Sequence, residues 1–78
     1  MKIETLRLAL YLTDCALEDY IDRWNDALDE GAHLAAHDLN AEALTMRSIA
    51  DYWNKRGNAA AAAADDLEAA LKEMGETA

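Results

Sequence analysis

Apolar residues recur every three or four positions along almost the whole chain, which is the spacing of amphipathic helices. On a wheel of about 100° per residue, one apolar stripe runs from Ile3 to Leu28. A second stripe runs from Leu39 to Trp53, and a third from Ala60 to Met74. Each stripe predicts a helix with one side turned towards a common core.

Glycine separates these stripes. Gly31, Gly57 and Gly75 each follow a helical segment at the place of a C-terminal cap. In the stretch "NKRGN", two cations precede Gly57 and Asn58 follows it as a candidate N-cap. The pattern predicts one all-α domain over residues 1–78, with helices at about 2–30, 33–56 and 59–74. Short connections favour a three-helix antiparallel bundle that runs up, down and up.

The second helix is the least certain of the three in its continuity. Asp38 and Asn40 are both good capping residues, so an alternative splits this helix near residues 38–40. Composition supports the helical class in either case, because the chain has no Pro and only three Gly.

The net charge of −9 limits the partners that the chain can bind. Nucleic acid and anionic membrane surfaces are themselves negative, so we expect no direct binding to either and a basic protein surface as the partner. Glu4 and Arg7 interrupt the apolar N-terminal run, which argues against a membrane span or a signal peptide. Cys15 is the only cysteine and fits a reducing compartment, so we expect a cytoplasmic protein.

Much of the charge lies on one side of the first predicted helix. Six carboxylates project within about 120° of the wheel, nearly opposite the core stripe. They are Glu18, Asp19, Asp22, Asp26, Asp29 and Glu30. Over their length of about 18 Å, a strand of B-DNA carries roughly five charges, which matches the net charge of this segment. We predict that they bind a partner.

The same face is apolar nearer the N-terminus, at Leu8, Tyr11 and Leu12. The third predicted helix lies beside this half and would cover it. In the alternative interpretation, part of the three side chains stays exposed and forms a dimer or partner patch.

Residues with metal-binding or catalytic potential are few. Glu30, His33 and His37 have the spacing of a weak metal site, but Gly31 interrupts them and the chain holds no second Glu-x-x-His. Cys15 lies among carboxylates, whereas a catalytic thiol needs an electropositive setting. We therefore expect no metal, no cofactor and no enzymatic activity.

Two functional hypotheses remain. In the first, the chain is a small inhibitor whose acidic face mimics nucleic acid and docks on a nucleic-acid-binding protein or nucleoprotein. Its small, acidic and helical character is similar to that of phage-encoded inhibitors of CRISPR and restriction systems, although no residue motif carries the likeness. In the second, the chain is a helical oligomerisation or adaptor module that uses the apolar patch, and a homodimer is one form of it.

Overall fold

The computed structural model of the protein describes residues 2–75. Two α-helices, α1 (Ile3–Ala36) and α2 (Asn40–Glu73), pack against each other as an antiparallel hairpin with dimensions of 55 × 15 × 13 Å. The prediction of an all-α fold is confirmed. The prediction of a three-helix bundle is wrong. Residues 33–36 of the predicted second helix extend α1, and its residues 40–56 continue into the predicted third helix as one helix up to residue 73.

The two helices meet along a seam with a strict heptad spacing, in which buried or half-buried residues alternate at steps of three and four. In α1 the seam consists of Ile3, Leu6, Leu10, Thr13, Leu17, Tyr20, Trp24, Ala27, Gly31 and Leu34. In α2 it consists of Ala43, Met46, Ala50, Trp53, Gly57, Ala60, Ala64, Leu67 and Leu71. This repeat makes the hairpin a two-stranded antiparallel coiled coil.

Gly57 and Gly31 lie inside helices and do not end them. A Cβ at Gly57 would lie 3.9 Å from Cβ of Tyr20, and one at Gly31 would lie 3.4 Å from Cβ of Met46. Each glycine therefore occupies a seam position opposite a large side chain. Glycine inside a helix costs only about 1 kcal/mol relative to Ala, and the Ala run after Gly57 favours the helix. The expected breaks at residues 31–32 and 57–58 are absent for this reason.

The chain reverses at residues 37–39, close to the alternative break that the sequence allowed. The Leu39 amide donates to the Leu34 carbonyl at 2.9 Å, and the Asp38 amide donates to the Ala35 carbonyl at 3.1 Å. This pair of bonds is a Schellman motif, in which the residue after the C-cap is usually glycine. Here Asp38 takes that place with a φ of 60°. Neither helix has a side-chain N-cap hydrogen bond, so Asp38 and Asn40 do not act as caps of that kind.

Gly75 confirms the third of the glycine-based boundaries. Helix α2 ends at Glu73, and Gly75 follows with a φ of 83°. This left-handed conformation favours glycine over other residues.

The coiled-coil seam differs from the stripe that a straight wheel predicts. Ile21 and Leu28 belong to the predicted core stripe, yet they are 43% and 42% exposed. A straight helix drifts by about 20° per heptad relative to a supercoiled seam, so a wheel of 3.6 residues per turn selects side chains beside the seam. Tyr20 and Ala27 occupy the seam in their place.

The core of this hairpin is thin. Among residues 2–75 the buried side chains are Leu6, Ala27, Ala50, Ala64 and Leu71, and no large side chain in that range is fully enclosed. Three of these five are alanines, which bury little apolar area. Neither α1 nor α2 contains a stretch that is apolar and long enough to cross a membrane.

Replacing Gly57 with Ala should stabilise the protein. The added methyl would make ordinary contacts with Tyr20 and Leu17, and Ala favours the helix by about 1 kcal/mol. We expect the midpoint of thermal unfolding, followed by circular dichroism at one fixed protein concentration, to rise by about 4–8 °C. Gly75→Ala is the control and should bring no gain, because its φ is 83°. A loss of stability in Gly57→Ala would mean that the helix ends at this residue.

Two substitutions at Asp38 should change stability in opposite directions. Asp38→Gly should raise the free energy of unfolding by up to about 1 kcal/mol. The left-handed backbone costs a residue with a Cβ about 1–2 kcal/mol, and glycine avoids this cost. Part of the gain is lost because glycine has more conformational freedom in the unfolded state. Asp38→Ala should lower it, because Ala tolerates a positive φ less well than Asp. Urea unfolding of both variants measures the difference, and equal stability of the two would contradict the assigned turn.

Candidate interaction surface on the first helix

The outer face of α1, opposite the seam, is divided into two chemically different halves. Leu8, Tyr11, Leu12 and Cys15 follow one another at spacings of three, one and three residues, and all four are exposed. We call them the apolar patch. From residue 18 onward the same face bears carboxylates, and we call the six predicted ones, Glu18, Asp19, Asp22, Asp26, Asp29 and Glu30, the acidic strip.

All six carboxylates of the acidic strip are exposed. Nε of Arg23 donates to Oδ2 of Asp19 at 2.9 Å, which leaves Asp19 partly neutralised. The other five carboxylates form no ion pair within residues 2–75. Glu18, Asp22, Asp26 and Asp29 follow the outer face, whereas Glu30 stands at the heptad position that flanks the seam. The strip is therefore a rigid row of charges that the chain itself barely compensates.

The position of the strip in α1 differs from the sequence-based expectation. The predicted helix ended at residue 30, so that Asp26, Asp29 and Glu30 opposed the macrodipole in its last turn. The observed helix continues to Ala36. Since the macrodipole acts mainly within the last turn, its penalty on these carboxylates is largely removed. The repulsion between neighbours such as Asp22 and Asp26, four residues apart, remains.

No third helix covers the apolar patch, because the expected third helix is the second half of α2 and packs on the seam. Leu8, Tyr11 and Leu12 are 58%, 65% and 57% exposed. The Cys15 side chain, one turn away, raises the pKa of Tyr11 above its ordinary value. The patch thus presents three large apolar side chains to solvent.

An aromatic cluster at the middle of the seam was not predicted from the sequence. Trp53 of α2 stacks on Tyr20 of α1 with ring centroids 5.9 Å apart, and the Tyr52 ring meets Trp53 edge-on at 5.0 Å. The guanidinium of Arg23 lies 5.0 Å from the centre of the Trp53 ring, and that of Arg56 lies 4.9 Å from the centre of the Tyr52 ring. The cation–π contact between Arg23 and Trp53 joins the two helices across the seam, whereas that between Arg56 and Tyr52 lies within α2.

The same cluster favours the charged form of Arg56. The Tyr52 hydroxyl, followed by that of Tyr20, raises the pKa of Arg56. Arg23 meanwhile joins Asp19 of the acidic strip to Trp53 of the seam. The signal that reveals this cluster in the sequence is the heptad register, which places both Tyr20 and Trp53 on the seam.

The weak metal candidate does not form a ligand set. The rings of His33 and His37 contact each other edge-on, with centroids 4.7 Å apart. Gly31 does not interrupt the helix between Glu30 and these histidines, contrary to expectation. Even so, no group of three or more possible metal ligands occurs among the residues that the structure describes. We assign no metal role to Glu30, His33 and His37.

Comparison with known proteins adds no assignment, since no protein-family model, curated protein or solved structure matches this chain.

The contact between Tyr11 and Cys15 makes a prediction about titration. Because the interaction with Cys15 raises the pKa of Tyr11, Cys15→Ala should shift the ionisation of this phenol to lower pH. Absorbance titration of tyrosinate measures the shift, and Tyr11→Phe identifies which part of the curve belongs to Tyr11. An unchanged curve in Cys15→Ala would show that the two side chains do not interact.

Proposed function

We propose that the protein is a non-catalytic binding protein that docks the acidic strip of α1 on the basic, nucleic-acid-binding surface of a larger protein. The observation that supports this proposal best is the row of exposed carboxylates, of which Asp19 alone has an internal counter-ion within residues 2–75. A surface that serves only solubility gains from mixed charges, since Glu and Lys four residues apart attract each other and like charges repel. This strip keeps its repulsion.

Helix geometry supports the choice of a nucleic-acid-binding partner. The strip spans residues 18–30 of one continuous helix, so its charges hold fixed spacings along about 18 Å. A partner that binds a phosphate backbone presents Lys and Arg at comparable intervals. Docking would release the anions condensed on that basic surface and would exclude the nucleic acid from it.

A second candidate function is a helical oligomerisation or adaptor module. The exposure of Leu8, Tyr11 and Leu12 favours it, because contiguous exposed apolar side chains are typical of interaction sites. In this alternative the acidic strip only keeps the protein in solution, and changes in the strip would leave binding intact.

Charge reversal distinguishes the two candidates. The double variant Asp22→Lys, Asp26→Lys should lose the partner and keep its fold, with equal or slightly higher stability because it relieves a repulsion. The matched control is Asp65→Lys, Asp66→Lys, which makes the same change in net charge at two exposed acids of α2. This control should retain the partner.

The measurement is affinity capture with wild type, the strip variant and the control as baits, followed by washes at about 50 and 200 mM salt. Contacts made by several charges weaken by orders of magnitude across that range. The proposal predicts that wild type and control retain a nucleic-acid-binding protein at low salt and that the strip variant loses it. Added duplex DNA or RNA should displace this protein from the bait. Equal retention by all three baits, or retention that nucleic acid does not affect, would overturn it.

A further inference from the structure

We infer that the apolar patch is a homodimer interface, and that two copies of the chain pack through it in antiparallel orientation, with their acidic strips at opposite ends. This inference rests on the second candidate function, for which it names the partner and the orientation. It is independent of the proposed docking function, because it concerns the other half of the outer face of α1.

The single hairpin leaves a large surface area exposed. Its accessible surface is 5659 Å². A folded monomer of 8.6 kDa exposes about 4,700 Å² by the usual scaling with mass. The excess, roughly 1,000 Å², is close to the 800 Å² or so that one partner buries in a stable interface of standard size. The elongated hairpin, 55 × 15 × 13 Å, therefore exposes enough surface beyond that of a compact domain to form an interface of standard size with one further copy.

The core of the single hairpin is thin. Small domains that cannot bury enough apolar area alone are usually stabilised by disulfides, metals or oligomerisation. The chain has a single cysteine, and its described part holds no cluster of metal ligands. A second copy that covers the apolar patch would add apolar burial that this core lacks.

The surface beside the patch forms a groove. Leu12 of α1 also lines this shallow groove between the two helices. The other lining residues are Thr13, Ala16 and Tyr20 of α1 and Arg56, Ala59 and Ala60 of α2. A two-fold dimer uses the same surface of both copies, so each copy must carry both the protruding side chains and the groove that accepts them. The Leu8 and Leu12 side chains provide the ridge, and the alanine-lined side of the hairpin provides the surface on which the ridge of the other copy packs.

Charge fixes the orientation of the two copies. The segment from residue 5 to residue 13 contains one charged residue, Arg7, whereas the acidic strip carries six carboxylates. A parallel pair would set the two strips side by side, and the repulsion between them would oppose association. An antiparallel pair overlaps the apolar halves and directs the strips away from each other.

Molar mass by light scattering tests the interface. Wild type should have twice the mass of 8.6 kDa, and Leu8→Asp and Leu12→Asp should each return it to the monomer value. The matched control is Leu44→Asp on α2, where the native side chain is as exposed, at 61%, but lies near the turn. This control should remain a dimer, as should Asp22→Lys, Asp26→Lys, which separates this test from that of the docking function. Circular dichroism verifies that every variant keeps its helices.

A monomeric wild type, or patch variants that remain dimeric, would overturn the interface. The orientation needs a separate measurement, in which Asp26→Cys in a Cys15→Ser background carries a spin label. Position 26 is about 22 Å along the helix from the centre of the patch, so antiparallel copies should give a label separation of about 44 Å by dipolar spectroscopy. A separation within about 20 Å would show parallel helices and overturn the assignment.

Discussion

The fold depends on the size complementarity of side chains across one seam. Leu17 and Tyr20 of α1 lie against Gly57 of α2, and in the half nearer the turn Met46 of α2 lies against Gly31 of α1. A Cβ at Gly31 would lie 3.4 Å from Cβ of Met46, whereas one at Gly57 would lie 3.9 Å from Cβ of Tyr20. The helices therefore approach more closely at Gly31, and the seam at Gly57 leaves room for a methyl group. Since the hairpin has no second layer, the position of every other side chain follows from this register, including which residues remain on the outer face.

The helical class and the ends of the helical region could be predicted from the sequence, whereas the number of helices could not. Pro is absent and the apolar spacing is regular, so α was the safe expectation. Glycine was a misleading indicator of the helix ends. Gly31 and Gly57 lie on the seam inside helices, whereas Asp38 occupies the position of the turn that glycine usually takes. Asp tolerates a left-handed backbone less well than Gly but better than most residues, so a turn at Asp38 carries a weaker signature in sequence.

The surface features were predictable to different degrees. The acidic strip follows from helical periodicity alone, because six carboxylates on one side of a helix stay exposed in a bundle or in a hairpin. The exposure of Leu8, Tyr11 and Leu12 depends on tertiary structure, since it required the absence of a third helix. The cluster around Trp53 depends on the register between α1 and α2, which the sequence of either helix alone does not specify. Charge was therefore easier to locate than apolar contact.

The tight turn at Asp38 also determines how the chain can acquire its structure. Every contact across the seam encloses the turn, and the enclosed length grows from Gly31 and Met46, fifteen residues apart, to Tyr20 and Gly57, thirty-seven apart. The entropy lost in closing a loop rises only slowly with its length, and each contact shortens the free loop that the next one must close. We expect the helices to zip from the turn towards the termini, and to fray in the reverse order. The parts of α1 and α2 farthest from the turn, with the apolar patch beside them, are then the last to pair, and association there would stabilise the fully paired hairpin.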